Sequence, residues 1–368
     1  MNTPPFDIFL VATPGLEAPL ADEARAAGFI DAKIIDGGVT FPGTWPDVWR
    51  ANLVLRGATR ILARIASFRA MHLAQLDKRA RKLPWSELLR PDVPVHVEAS
   101  CKRSRIYHAG AAAQRVATAI REELGAPIAE GAVLRIMVRI EDDLVTISID
   151  TSGESLHKRG FKEGVAKAPM RETMAAMFLA QCGYTGTEPV LDPMCGSGTF
   201  VIEAAEIALG LQPGRGRNFA FEQLPGFKAR AWAELRAPAA QTPTTTRFLG
   251  FDRDPGAIRM ALENAARAGV SNCTGFAQQS IEDLTPPEGP PGLVIVNPPY
   301  GTRVGEKGPL IGLHRTLGTV LKTRFSGWRV GIVTADRQLA QATGLGFDPP
   351  MPPVLHGGIR VGLYRSRL

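Results

Sequence analysis

The stretch VIVNPPYG, residues 294–301, sets three β-branched residues against two prolines, an asparagine and a tyrosine. Val294, Ile295 and Val296 read as a core strand of a parallel sheet, because β-branched side chains suit a surface buried on both faces. Pro298 and Pro299 have no N–H to give to a sheet ladder, so the strand ends there. The polar groups are thereby held at the carboxyl end of a strand, where open α/β sheets bind ligands. A second cluster, VLDPMCGSGTF at 190–200, reads as a strand, a glycine turn and a helix start. Gly196 and Gly198 let the backbone approach a ligand closely, with the first amides of the helix facing it.

This turn lacks the features of a dinucleotide fingerprint. The third glycine of GxGxxG falls on Val201, and no acidic residue stands about 20 residues on to hold a ribose. The next strand, FLGFDRD, does end in Asp252, but only after a long insertion. With Asp192 in the turn and no basic partner for phosphate, the loop suits a zwitterionic, phosphate-free nucleoside. S-adenosylmethionine is such a nucleoside, and Asp252 is then placed for its ribose hydroxyls. A strand-to-helix turn that binds nothing is the competing reading of the glycines alone.

The elements that must position these residues alternate regularly. After residue 172 the chain reads helix (RETMAAMFLAQCG), strand (PVLDPMCG), helix (FVIEAAEIALG), strand (RFLGFDRD) and helix (PGAIRMALENAARAG). LVIVNPPY, the helix PLIGLHRTLGTVLKTRF and the strand WRVGIVTAD follow. Such alternation predicts a doubly wound, mostly parallel sheet. Residues 211–246 interrupt the rhythm as an insertion. Earlier, residues 1–60 alternate DIFLVAT, LEAPLADEARAAG and GGVTF as strand, helix and strand. Within 61–155, PVHVEASC, AGAAAQRVATAIREELG, VLRIMVRI and LVTISIDTSG read as strand, helix and two strands joined by the turn EDD. These predict small α+β modules at 1–60 and 61–155, a basic linker at 156–172 and a catalytic domain at 173–368.

The totals narrow the classes further. The 368 residues are 45% apolar and 21% charged, the composition of a packed globular protein of two or more domains. No run of 18 apolar residues predicts a membrane span, and MNTPPFDIFLVATPG has neither the basic start nor the apolar length of a signal peptide. Cys101, Cys182, Cys195 and Cys273 are widely spaced without a CxxC pair. That pattern speaks against a zinc site or a disulfide framework, and predicts a cytoplasmic protein without a metal. The net charge of +7 is concentrated: residues 60–125 carry 13 Lys/Arg against 6 Asp/Glu, through RKL and CKRSR (101–105). Clustering in one segment favours a polyanion partner over a merely solvated helix face.

DPMCGSGT followed by NPPYG resembles the class I methyltransferases that alkylate an exocyclic or amide nitrogen. The run GGVTFPG, IDTSGESLHKRGF, APMRETMAA, LDPMCGSGT, GFDRD and VNPPYG, in that order along the whole chain, is more specific. It resembles the THUMP-domain RNA guanine-N2 methyltransferases, above all those of the large-subunit ribosomal RNA type. The resemblance implies an α/β chain: a ferredoxin-like plus THUMP module, then a Rossmann-like methyltransferase domain using S-adenosylmethionine. Some members carry a second methyltransferase domain C-terminally, and this chain reads as ending without it. Asp192, Pro193, Cys195, Gly196, Gly198, Thr199, Asp252, Ser280 and Asn297 would then line the cofactor site. Ser280 departs from the pattern, because relatives usually carry Asp there for the adenine amine; Glu282 or Asp283 could substitute. Cys195 packs under the turn rather than acting as a nucleophile, since no His is placed to activate it.

The amine of guanine is a poor nucleophile because its lone pair is delocalised into the ring. The side-chain oxygen of Asn297 and the backbone carbonyl of Pro298 can each accept one of its N–H groups, directing the lone pair at a sulfonium methyl. Pro299 helps to stiffen that carbonyl, and Tyr300 offers a face for the base. Arg103 and Arg105, with Lys158, Arg159 and Lys162 of the linker, are the candidates for holding RNA, with 23S ribosomal RNA favoured over transfer RNA. An adenine-N6 or amide-nitrogen methyltransferase shares the tetrapeptide and stays open. So does an RNA-binding protein on an inactive methyltransferase fold, although the intact motifs argue against it.

Overall fold

A computed structural model describes residues 5–163, 170–237, 242–300 and 307–368. Residues 164–169 of the expected linker, 238–241 of the insertion and Gly301 of the NPPYG motif lie outside the described residues. The chain divides into two compact units, one holding 1–12, 21–156 and 217–237, the other holding 13–20, 157–216 and 238–368.

The first unit is built on strands β1 (Phe6–Val11), β2 (Lys33–Ile35), β3 (Gly38–Gly43), β4 (Arg60–Arg69), β5 (Val95–Lys102), β6 (Leu134–Glu141) and β7 (Leu144–Asp150). Its helices are α1 (Glu17–Ala26), α2 (Trp45–Val54), α3 (Leu73–Ala80), α4 (Trp85–Leu88) and α5 (Ala109–Leu124). The strands form one sheet in the order β2-β3-β1-β4-β7-β6-β5. Buried and half-buried residues alternate along β6, as a strand with one face on a core requires. Helix α5 buries Ala112, Val116, Ala119 and Ile120, a stripe at helical spacing, and ends on Gly125 in the left-handed conformation.

Two features go beyond the sequence pattern. The modules at 1–60 and 61–155 share this single sheet, because β4 pairs on one edge with β1 and on the other with β7. Sequence reading missed β4 because arginines interleave its apolar residues and its register shifts between Arg64 and Ala66. The insertion is also more than an interruption. Phe221 stacks on Phe219 and on Trp49 of α2, and Trp232, on helix α8 (Ala229–Arg236), meets both phenylalanines edge to face.

The second unit contains helices α6 (Glu172–Gln181), α7 (Thr199–Ala208), α9 (Pro255–Ala268), α10 (Lys307–Arg324) and α11 (Arg337–Ala342). Its strands are β8 (Val190–Asp192), β9 (Phe248–Asp252), β10 (Thr274–Gln278), β11 (Leu293–Val296), β12 (Arg329–Thr334), β13 (Val354–His356) and β14 (Ile359–Arg367). They lie in the order β10-β9-β8-β11-β12-β14-β13, parallel from β10 to β12, with β14 antiparallel to both neighbours. β11 is buried along its whole length, as a central strand covered on both faces must be. From β8 the chain goes on to β9 on one side, while β11 pairs on the other side. Open α/β sheets bind ligands where strand order reverses in this way, which makes the carboxyl ends of β8 and β11 the candidate site.

Candidate active site

Asp192, Asp252 and Asn297 leave the carboxyl ends of three neighbouring strands, β8, β9 and β11. Between them runs the glycine turn. Gly196 and Gly198 hold φ of +53° and +86°, the left-handed region that any side chain would strain. A Cβ on Gly198 would lie 3.1 Å from Ala261 Cβ and from the Phe276 ring, so the turn is close-packed as well as left-handed. Asn264, buried on α9, donates to the Ser197 carbonyl at 3.1 Å and holds the turn from behind.

Asp252 organises the neighbouring corner. Its Oδ2 accepts the Gly196 amide at 3.0 Å and its Oδ1 accepts the Asp254 amide at 2.9 Å. Each oxygen keeps a further lone pair, the arrangement a vicinal diol can use as donor. Asp254 then caps α9 by accepting from Gly256 at 2.8 Å, and Pro255 opens that helix with its fixed φ. Asp192 is only 2% exposed and accepts the Met194 amide at 3.1 Å. Burial pushes its carboxyl up to about 8; the Met194 bond works against the rise and the Asp252 charge adds to it. A buried carboxyl with one backbone donor is a seat for a cation such as an amino acid ammonium.

At the end of β11, Pro298 is buried while Asn297, Pro299 and Tyr300 are half-buried. The Asn297 Oδ1 is closed off from solvent and accepts no hydrogen bond among the described residues. An unsatisfied buried acceptor costs about 1–3 kcal/mol, and a ligand N–H would relieve it. Burial raises the Tyr300 phenol above its ordinary value, so the ring stays neutral.

The remaining expected residues are placed unevenly. Pro193 lies in the turn. Cys195 is buried against Gly250, where an added Cβ would meet the Cys195 Cβ at 3.0 Å; burial pushes its thiol far up, away from thiolate chemistry. Ser280 is exposed just beyond β10, one residue after Gln279, whose amide donates to the Asp252 carbonyl at 3.0 Å. Its hydroxyl donates to the Glu282 carboxylate, and that bond holds Glu282 below the usual carboxylate range. Glu282 thus sets a carboxylate directly against the Ser280 hydroxyl.

The RNA candidates need partial correction. Arg159 is 3% exposed and pairs with buried Glu203 at 3.4 Å, so its guanidinium is not open to a phosphate. Lys162 is likewise enclosed: Nζ reaches Glu172 at 3.1 Å and donates to Thr199 Oγ1 at 2.9 Å and to the Met170 carbonyl at 3.0 Å. Residues 157–163 belong to the second unit. Lys158 is exposed. Arg103 is exposed but held by Asp142 and Glu141, at 3.1 and 2.8 Å, and Arg105 faces Asp143 at 3.9 Å. The EDD turn, read only as a connection, sets its acids against the CKRSR run. Sequence reading also missed Asn264 and Glu172, whose contacts join segments far apart in the chain.

The sequence pattern of the RMKL-like methyltransferase domain family matches residues 159–346, and that of the RlmL ferredoxin-like domain matches residues 7–62. Two relatives bear the name ribosomal RNA large subunit methyltransferase K/L. The protein from Syntrophotalea carbinolica is 36% identical over 361 residues, which is 93% of this chain and 51% of that one. The protein from Vibrio campbellii is 33% identical over 353 residues, 92% of this chain and 50% of that one. The chain spans about half the length of these curated relatives. Among solved structures, SMU.472, complexed with SAH, superposes with a TM-score of 0.89 at 27% identity, over 99% of this chain and 98% of that one. A structure from Listeria monocytogenes, described as a predicted N6-adenine-specific DNA methylase, gives 0.87 at 31% identity, over 98% and 96%. The α/β class expected from the sequence, a ferredoxin-like segment ahead of a Rossmann-like methyltransferase sheet, is the one found.

Proposed function

This chain belongs to the RMKL-like methyltransferase family, and on that premise we propose that it methylates the exocyclic N2 of a guanine in large-subunit ribosomal RNA, with S-adenosylmethionine as the donor. The observation that carries the reading is the buried Asn297 Oδ1 without a partner among the described residues, at the strand end beside the glycine turn. An amine N–H is the donor this oxygen lacks. The Pro298 carbonyl takes the second N–H, and the Tyr300 ring supplies a stacking face worth roughly 1–3 kcal/mol. With both hydrogens held, the nitrogen lone pair is aimed at the incoming methyl. No base is needed beforehand, since the alkylated nitrogen loses its proton after transfer.

The residues present fit the donor. Asp192 takes its ammonium, Asp252 its ribose hydroxyls, and Ser280 with Glu282 the adenine amine. When bound, the donor supplies an electrophilic methyl on a sulfonium. The chain contributes position, which accounts for about 7–11 kcal/mol in well-oriented reactions. A guanine in a stem must first be flipped out, at a cost of a few kcal/mol. The relatives named for ribosomal RNA support this substrate, as does the basic segment 60–125, which the resemblance assigns to a THUMP module.

Adenine N6 is the second reading, because the Listeria monocytogenes protein is 31% identical over nearly the whole chain. Transfer of a labelled methyl to unmodified large-subunit ribosomal RNA, to transfer RNA and to DNA, followed by digestion to nucleosides, separates them. N2-methylguanosine from ribosomal RNA is expected. N6-methyladenosine, or label only in DNA or transfer RNA, would overturn the proposal.

A further inference from the structure

Tyr107 is 84% exposed, the most exposed of the large hydrophobic side chains described, yet the loop that carries it is pinned on both sides. Before it, Ile106 is buried, the Arg105 amide donates to Asp143 Oδ1 at 2.8 Å, and the Ser104 hydroxyl donates to the Lys102 carbonyl at 2.8 Å. After it, His108 caps α5, its Nδ1 accepting the Ala111 amide at 3.1 Å. That bond puts the imidazole hydrogen on Nε2. Two residues before Tyr107 in the chain, Arg105 has a side chain 70% exposed, with Nη1 3.3 Å from the sulfur of half-exposed Met71.

A solvated aromatic ring on a fixed backbone gains nothing for the fold, since it buries almost no surface. It does form a preorganised platform: the loop is already held on both sides, so ordering the ring costs little on binding. We infer that Tyr107, flanked by Arg105 and His108, stacks an unpaired nucleotide of the RNA substrate. The inference rests on the RNA reading above and deepens it. The chemistry selects a nucleobase over a bare phosphate, because Arg103 and Arg105 are already faced by Glu141, Asp142 and Asp143, which leaves little net charge for a backbone alone. Stacking is indifferent to that compensation.

Two labelled RNAs of one stem sequence test it, one a blunt duplex and one carrying a single-stranded adenosine overhang. Binding is measured for the unaltered chain, Tyr107→Ala and Tyr107→Phe at low and high salt. Tyr107→Ala should weaken binding of the overhang RNA roughly 5- to 150-fold, the span of one stacked base. Its blunt-duplex affinity and salt dependence should not change, and Tyr107→Phe should bind like the unaltered chain. Equal affinities for the overhang RNA in the unaltered chain and Tyr107→Ala would overturn the platform, as would an equal loss on both RNAs. Failure of the unaltered chain to bind either RNA would overturn the RNA reading itself.

Discussion

Lys162 donates to the Thr199 hydroxyl at 2.9 Å while pairing with Glu172 at 3.1 Å, so a cation that the sequence offered to RNA is spent on the first residue after the glycine turn. Thr199 begins α7, and Glu203, one turn on, holds Arg159. Residues 159 and 162 thus fasten one face of the helix whose N-terminus follows the glycine turn.

Lys162→Met should therefore destabilise the fold, by about 3–5 kcal/mol, because it leaves the buried Glu172 carboxylate without its cation. Burial already raises that carboxyl, and Lys162 is the strongest influence holding it down. Denaturant unfolding measures the loss. A variant of normal stability whose RNA binding has lost salt dependence would instead put Lys162 on the RNA.

Asn297→Ala removes one amine acceptor and leaves the strand and the glycine turn in place. Single-turnover transfer should fall on the order of 100-fold or more, as when one preorganised polar group is deleted from a reacting centre. Donor affinity should change little. Near-normal transfer would show that the amine is held elsewhere.

On the proposed site, Asp192 should link donor binding to protons. With its carboxyl near 8 in the free protein, it is mostly protonated at pH 7. An ammonium seated against it favours the carboxylate, so donor binding should release on the order of one proton. Calorimetry in two buffers of different ionisation enthalpy reads this, and Asp192→Asn should abolish it. The same shift acts on stability. A raised carboxyl contributes stability that is complete below its ordinary value of about 3.9 and is lost as pH climbs towards the folded value. Thermal melts of Asp192→Asn between pH 5 and pH 8 should therefore fall less steeply than those of the unaltered chain.

Gly198→Ala places a Cβ at φ +86° and 3.1 Å from two neighbours. The left-handed conformation alone costs about 1–2 kcal/mol. Donor affinity should drop further than stability does, because the turn can relieve the contact by moving into the crevice. Unchanged binding with lowered stability would make the glycine structural only.

Local signals settled much of the second unit in advance. β8, β9 and β11 could be read because consecutive apolar residues mark central strands, and Pro298, Gly196 and Asp254 each enforce a local geometry whatever surrounds them. The motif residues Asp192, Asp252 and Asn297 were legible for the same reason: each sits where a strand must stop. The tertiary structure decided what depends on partners distant in sequence. β4 became the centre of a sheet although its own pattern is mixed, because β1 and β7 supply both of its edges. Arg159 and Lys162 look like any surface cations until Glu203, Glu172 and Thr199 are brought against them. Arg103 looks like a phosphate ligand until the turn at Asp142 reaches it. Charge in a sequence states how many groups are present; burial and pairing, which only the folded chain fixes, decide which of them a ligand can meet.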